Sequence, residues 1–471
     1  MALMLYFGIA VTLSVIILLL RRNSLTRAAL FLFLALQTAF TVYAFIHQGQ
    51  KELSYFLFDS VGLIFLSVLT ILSYTTVYYS LIYLKRHRDN PFRQSLFAAA
   101  LILLVVSMSS VYIAEHAGLL WVFIEATTLC VSLLVYHERN ALSLEATWKY
   151  VFICSVGVAF AFVGIIFLGM TVQKNGLYDL NFSAVVSHVA LANPFWLKMV
   201  FLFILVGFST KMGLFPMQTI TVDAHTVAPF PVSAFISTTL MNVGFIGIYR
   251  FYTVLEHTAI GGWMSNLLMW SGILSVLVAS VYMLTAGHLK RLSAYSSLEH
   301  MGLAAIGLSV GGPVLYAVFL HLILHSFTKA GLFYHLGSLH ARFQTYKIDS
   351  IKNYFGKSPA GGLVFFVLLL FLGAVPPSGL FVTEFLILKG MFLSGHIWEM
   401  SVLLLLMTVI LFAFIKNGLK MVFSDDEMKI QPAESNYALE LIPQVTLLLA
   451  VVWLGFFPPQ ALVSIINQCI M

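Results

Sequence analysis

The chain has 471 residues, 60% of them hydrophobic and only 9% charged, with a mean hydropathy of +0.96. Soluble domains carry roughly 25% charged residues, so water is excluded as the main solvent. The formal charge of +6 reads as the basic loops that membrane topology requires, not as a nucleic-acid surface.

A hydrocarbon core about 30 Å thick asks for about 20 mostly apolar residues per helix. The first such run, near 3–20, has no basic stretch before it and no small-residue cleavage site after it, so a membrane span is expected there and not a secretory leader. Further spans are expected near 28–47, 61–84, 95–113, 117–136, 147–171 and 196–216, then near 229–254, 263–286, 293–310, 314–340, 361–392, 399–423 and 441–466. The expected architecture is an all-α membrane protein of about fourteen helices.

With both termini on one face, 18 of the 25 Lys and Arg residues fall on one side, among them Arg86, Arg88, Arg139, Lys290, Arg291 and Lys429. Five fall on the other, namely Lys51, Lys174, Lys198, Arg250 and Lys389, while Lys211 and Lys329 lie inside spans. The basic side is expected in the cytoplasm of a cell membrane, with both termini on the opposite side. Cys130, Cys154 and Cys469 have no paired spacing for a disulfide, a metal or an iron–sulfur cluster. No dinucleotide-binding glycine pattern is present either, so no cofactor, metal or redox site of its own is expected.

Two spans are interrupted, at Gly213-Leu214-Phe215-Pro216 and at Pro376-Pro377-Ser378-Gly379, beside Lys211 and Glu384 respectively. Proline removes a backbone donor, and broken backbone at membrane depth is tolerated only inside protein or along a wet cavity. Corresponding breaks in two halves point to an ion site in repeat-built transporters. The breaks fall in the seventh and twelfth spans, and an odd offset of five makes the repeats inverted in the membrane.

A charge at the bilayer centre costs at least about 2.5 kcal/mol, so each ionisable residue inside a span needs a reason. Glu125 lies several residues inside its span with no basic neighbour in sequence before Arg139. Lys211 directly precedes the first break, where a lysine that meets a carboxylate intermittently could load and release a proton. The competing reading has Lys211 reaching to the interface, marked by Asp223 and His225 downstream. His321, His325 and Lys329 are spaced i, i+4, i+8 and form one stripe on a helix face, and imidazole suits a proton relay. Metal binding is the weaker reading there, because no carboxylate or Cys completes a ligand set on that segment. Glu384 follows the second break. Glu299 and His300 could extend the line, although Lys290 and Arg291 nearby make an interfacial ion pair a close rival.

With these residues in hand, the chain resembles the antiporter-like subunits of respiratory complex I, membrane-bound hydrogenases and multisubunit sodium/proton antiporters. The resemblance rests on Lys211-Met-Gly-Leu-Phe-Pro216 through Asp223-Ala-His225 to Ala228-Pro229, and on Lys290-Arg291-Leu-Ser-Ala-Tyr295-Ser-Ser-Leu-Glu299-His300-Met-Gly302. Phe123-Ile-Glu125-Ala-Thr-Thr and Glu145-Ala-Thr-Trp-Lys149-Tyr150 lean to the hydrogenase-4 component F type. The resemblance implies three N-terminal spans in 1–94, a repeat of spans four to eight in 95–255, an inverted repeat of spans nine to thirteen in 263–423 and a last span in 441–466. It implies that Glu125 and Lys211 exchange protons, that His321, His325 and Lys329 relay them, and that Glu384 is the terminal group. Where some relatives carry a lysine this chain has Asn242, so the link onward from Lys211 is expected to use His225 or water. The expected function is proton translocation within a multisubunit complex driven by redox or hydrogenase partners. A sodium/proton antiporter subunit and a non-transporting membrane scaffold are the alternatives.

Overall fold

A computed structural model describes residues 2–470 except 88, 174, 175, 177, 178, 191 and 425–436, and describes Tyr437 by its backbone. Arg88, Lys174 and Lys429 of the charge assignment lie outside the described residues. The chain divides into two units, the first built from 1–232 and 239–267, the second from 233–238 and 268–471.

In the first unit the helices are α1 (Ala2–Leu20), α2 (Asn23–Ile46), α3 (Ser60–His87), α4 (Pro91–Ile113), α5 (Ala117–Val135), α6 (Ala141–Gln173), α7 (Phe182–Val189), α8 (Pro194–Met212), α9 (Gln218–Val227), the first half of α10 (Phe230–Phe235) and α11 (Met241–Leu255). A two-stranded hairpin, Lys51–Glu52 with Phe56–Leu57, joins α2 to α3. A π-helical stretch, Ile236–Leu240, leads into α11. Helix α12 (Gly261–Leu284) runs into the second unit, which continues with α13 (Leu289–Val310), α14 (Val314–Phe343), α15 (Tyr354–Lys357), α16 (Pro359–Leu372), α17 (Gly379–Leu393), α18 (Ile397–Phe423), α19 (Tyr437–Phe456) and α20 (Gln460–Gln468).

Among the described residues, twelve helices are long and apolar enough to cross a membrane. Two of the spans expected from the sequence are not among them. Helix α13 carries Lys290, Arg291, Glu299 and a run of serines that dilute its hydropathy. The expected span 361–392 is two helices, α16 and α17, divided at the second break. The last expected span, 441–466, also differs, because α19 ends at Phe456 and Pro458-Pro459 separates it from α20. Proline cannot continue the hydrogen-bond ladder.

At both internal breaks a hydroxyl from the following segment bonds a carbonyl of the preceding helix. Helix α8 ends on Gly213, which takes φ +80°, a backbone conformation that glycine adopts without steric cost. The Thr221 hydroxyl of α9 donates to the Thr210 carbonyl at 3.3 Å. At the second break Ser378 caps α17 by accepting from Leu380 N at 3.1 Å, and its hydroxyl donates to the Phe371 carbonyl at 3.2 Å. Carbonyls that the breaks expose are thus taken up by hydroxyls from the following helix, as buried backbone requires.

Small residues set how closely the helices pack. A Cβ on Gly207 of α8 would stand 2.6 Å from Ala161 Cβ and 2.7 Å from Gly157 O of α6. On Gly244 of α11 it would stand 2.2 Å from Met212 N, at the broken end of α8. In the second unit Gly272 and Gly302 bring α12 against α13, and Gly379 and Gly455 bring α17 against α19. Close backbone approach through small residues is how helices associate in lipid, where hydrophobic driving force is absent. It also delivers the flanking polar side chains, Lys211 and Glu384 among them, into packed protein.

Gly207→Val is expected to destabilise the protein by about 1–3 kcal/mol through overpacking. Gly8→Ala, whose added methyl meets nothing within 4 Å, is expected to change stability by less than about 0.5 kcal/mol. Thermal unfolding of the purified protein in detergent measures both.

Candidate functional site

Each unit buries a cluster of ionisable side chains at or beside a broken helix. In the first unit Lys211 comes from the last turn of α8 and is 2% exposed. Its Nζ donates to Thr128 Oγ1 of α5 at 2.7 Å and to Tyr150 OH of α6 at 3.1 Å, and it lies 5.0 Å from the centre of the Tyr150 ring. Lys211 is therefore held inside the protein, and the reading in which it reaches to an interface is corrected. Glu125, half-buried on α5, accepts from Thr128 Oγ1 at 3.2 Å through Oε2 and from Ser155 Oγ of α6 at 2.7 Å through Oε1. No carboxylate lies within ion-pair distance of Lys211 among the described residues. The two groups are joined by the Thr128 hydroxyl instead, which accepts from the lysine and donates to the glutamate. His225, fully buried, and Asp223 lie on α9 immediately after the break, so they belong to a helix and do not mark a loop at an interface.

In the second unit α13 and α14 are antiparallel neighbours joined at Gly311–Pro313. Ser293, Ser296 and His300 are spaced i, i+3, i+7 on one face of α13; the two serines meet Lys329 of α14, and His300 meets His325 and His321. Lys329 Nζ donates to Ser293 O at 2.7 Å and to Ser296 Oγ. The His300 ring sits 4.9 Å from that of His325 and 5.1 Å from that of His321, while the His321 and His325 rings are 6.5 Å apart and nearly parallel. Helix α17 closes the group. Thr383 Oγ1 lies 2.9 Å from His321 Nδ1, and Glu384 Oε1 lies 3.6 Å from His300 Nδ1.

From sequence, Glu299 and His300 are a lower-ranked extension of the line, with an interfacial ion pair to Lys290 and Arg291 a close rival. In the structure both are buried, and His300 stands between the two α14 histidines. The charges of Lys290 and Arg291 act elsewhere. Together with burial, the larger effect, they push His288, in the loop before α13, down to about 4.

The hydroxyls fix where protons sit. Thr383 Oγ1 donates its one hydrogen to Leu380 O at 2.9 Å, so it must accept from His321 Nδ1–H. The neutral ring then carries its lone pair on Nε2, an atom that makes no hydrogen bond. One nitrogen or oxygen from each of His300, His321 and Glu384 lies within 4.8 Å of the others, a set able to hold a metal ion. The sequence reading found no ligand set because these residues come from three helices. His335, also buried on α14, is bound on both sides, to Gln444 Oε1 at 2.6 Å and Tyr354 OH at 2.9 Å. That arrangement ties α14 to α15 and α19.

The sequence reading missed Thr128, Ser155, Ser293, Ser296 and Thr383. Thr128, at i+3 from Glu125, is the one that helix spacing alone could have flagged. The others are matched across helices, a tertiary property.

Fold and site define a multi-pass helical membrane protein with ionisable residues buried at two broken helices. A sequence profile described as NADH:quinone oxidoreductase/Mrp antiporter, TM, matches residues 114–411. A hydrogenase-4 component F homolog of Methylacidiphilum infernorum (isolate V4) is 31% identical over 430 residues, covering 88% of each chain. Among solved structures, a chain of the archaeal membrane-bound sulfane sulfur reductase superposes with a TM-score of 0.88 at 20% identity, covering 99% of this chain and 96% of that one. A chain of the Mrp complex from a Dietzia species superposes with a TM-score of 0.84 at 16% identity and the same coverage. The chain belongs to the NADH:quinone oxidoreductase/Mrp antiporter family of membrane subunits.

Gln444→Leu is expected to remove the acceptor of His335 Nδ1–H and to cost about 1–3 kcal/mol of stability, while leaving proton translocation per assembled complex intact. Thr383→Val is expected to do the reverse, lowering translocation with a smaller loss of stability. Thermal unfolding and transport assays on the same preparations separate the two.

Proposed function

We propose that this chain is the proton-translocating subunit of a redox-driven membrane complex of the hydrogenase or NADH:quinone oxidoreductase kind. The observation that carries this reading is the buried line from Lys211 through Thr128 to Glu125. An ammonium and a carboxylate that share one hydroxyl can exchange a proton without water at the contact.

In this reading the proton line comprises Glu125, Lys211 and His225 in the first unit, and His321, His325, Lys329 and Glu384 in the second. Glu299 and His300 join it in the second unit, and Asp223 flanks it in the first. Glu384, beside the second break, is the terminal group. The chain crosses the cytoplasmic membrane about fourteen times, with spans four to eight and nine to thirteen as inverted repeats, its basic side in the cytoplasm and both termini opposite. Energy comes from partner subunits, because neither the cysteine spacing nor the glycine pattern offers a redox or nucleotide site here.

The alternative of a sodium/proton antiporter subunit draws on Glu384 Oε1, which makes no hydrogen bond beside a broken helix, and on likeness in fold to a chain of an Mrp complex. A non-transporting scaffold fits poorly, since buried unpaired charge is costly and contributes nothing to helix packing that apolar residues would not.

Lys211→Met and Glu125→Gln are each expected to lower proton uptake by the complex reconstituted in liposomes at least tenfold, about 1.4 kcal/mol or more in barrier. Assembly should persist, and removal of sodium should leave the wild-type rate unchanged. Uptake that requires sodium would favour the antiporter, and wild-type rates in both variants would favour the scaffold.

A further inference from the structure

Among the described hydroxyl groups that touch the ionisable residues of the two clusters, those of Thr383, Ser296 and Ser155 do not join one ionisable residue of a cluster to another. Thr383 accepts from His321 and hands its hydrogen to Leu380 O. Ser296 accepts from Lys329 and hands its hydrogen to Ser293 O at 3.1 Å. A backbone carbonyl does not take up a proton at ordinary pH, so these hydroxyls hold their partners in place. Ser155 donates to Glu125 at 2.7 Å and has no donor behind it among the described residues. Thr128 differs from all three. Its oxygen accepts from the Lys211 ammonium at 2.7 Å, and its hydrogen points to the Glu125 carboxylate at 3.2 Å, so a titratable group stands at each end.

We infer that Thr128 is a proton-passing residue, whose hydroxyl carries the proton between Lys211 and Glu125. The inference rests on the proton-translocating reading above. The step balances without any co-reactant. An N–H bond of Lys211 breaks as an O–H bond forms on Thr128, and the original O–H bond of Thr128 breaks as one forms on Glu125 Oε2. Lysine is left as a neutral amine and glutamate as a neutral acid, with one proton moved and the hydroxyl restored. Rotation of the hydroxyl resets the direction.

The surroundings hold both ends of this bridge in place. Glu125 and Thr128 lie on the same helix, three residues apart, so their contact is set by local helix spacing. Ser155, on α6, holds the other carboxylate oxygen and orients Oε2 toward Thr128. Tyr150 holds the lysine from its other side.

The test is proton uptake by the whole complex in liposomes, with assembly checked for each variant. Thr128→Val keeps the shape and removes the hydroxyl, and is expected to lower uptake about a hundredfold or more, within the range of positioned proton transfer. Thr128→Ser is expected to stay within about twofold of wild type, because it keeps the hydroxyl. The loss in Thr128→Val should persist as a lowered plateau across the pH profile. A residue that merely stabilised the lysine charge would shift the profile and recover its plateau at a different pH. Should Thr128→Val fail to assemble, Thr128→Cys decides, because a thiol is a weak donor and acceptor and its rate is expected between those of Ser and Val. Wild-type uptake in the assembled Val variant, or in the Cys variant, while Lys211→Met and Glu125→Gln are inactive, would overturn the relay and leave the proton-translocating reading standing. Wild-type uptake in Lys211→Met and Glu125→Gln would remove both.

Discussion

Hydrocarbon does not solvate charge, and an ionisable side chain at the bilayer centre is costly unless the protein itself supplies what water would. Much of this structure follows from that requirement. Lys211 and Lys329 are each almost wholly buried, and each spends its ammonium hydrogens on oxygen atoms of neighbouring helices, Thr128 of α5 and Tyr150 of α6 in one case and Ser293 and Ser296 of α13 in the other. Close helix approach through glycines brings such oxygens within reach, as Gly157 and Gly207 do for α6 and α8, and Gly307 against Val318 does for α13 and α14. The helix breaks belong to the same solution, since the hydroxyls of Thr221 and Ser378 take up carbonyls that the breaks expose.

Within this common chemistry the hydroxyls divide by where their hydrogen goes. Those of Thr383 and Ser296 end on backbone carbonyls and fix a tautomer or a lysine position. That of Thr128 ends on a carboxylate. The histidines divide in a similar way. His335 is bonded on both ring nitrogens and ties three helices together, whereas His321 is bonded on Nδ1 and offers a ring nitrogen within 4.8 Å of atoms of His300 and Glu384. Orientation and transfer are thus assigned to different side chains of the same chemical type, and only the donor–acceptor direction tells them apart.

Much of the fold was legible because apolar length, proline and glycine act locally. The runs gave the helices, and Gly213-Leu214-Phe215-Pro216 and Pro376-Pro377-Ser378-Gly379 gave the breaks. Where polarity and apolar length conflict, as in α13, a span expected from pattern does not stand out by hydropathy, and Pro458-Pro459 cut short a last span that composition alone extended. Of the site, the stripe His321, His325 and Lys329 was legible because one helix carries it. The rank of His300 was not, because its neighbours in sequence are Lys290 and Arg291 while its neighbours in space come from α14 and α17. The bridge between Glu125 and Lys211 was half legible, since Thr128 shares a helix face with Glu125 but meets Lys211 only through the packing of α5 on α6 and α8. Local spacing reports which groups share a face, and donor–acceptor direction across helices has no trace in sequence.

The central claim is that Glu125 changes protonation state in exchange with Lys211 while the complex works. Infrared difference spectroscopy of the assembled complex during turnover tests it most directly, because a protonated carboxyl has its own C=O band. The account predicts a carboxyl band that appears and decays with turnover, is lost in Glu125→Gln, and is also lost in Lys211→Met, where the proton donor is gone. A Glu125 band that never appears, or that cycles unchanged without Lys211, would contradict it.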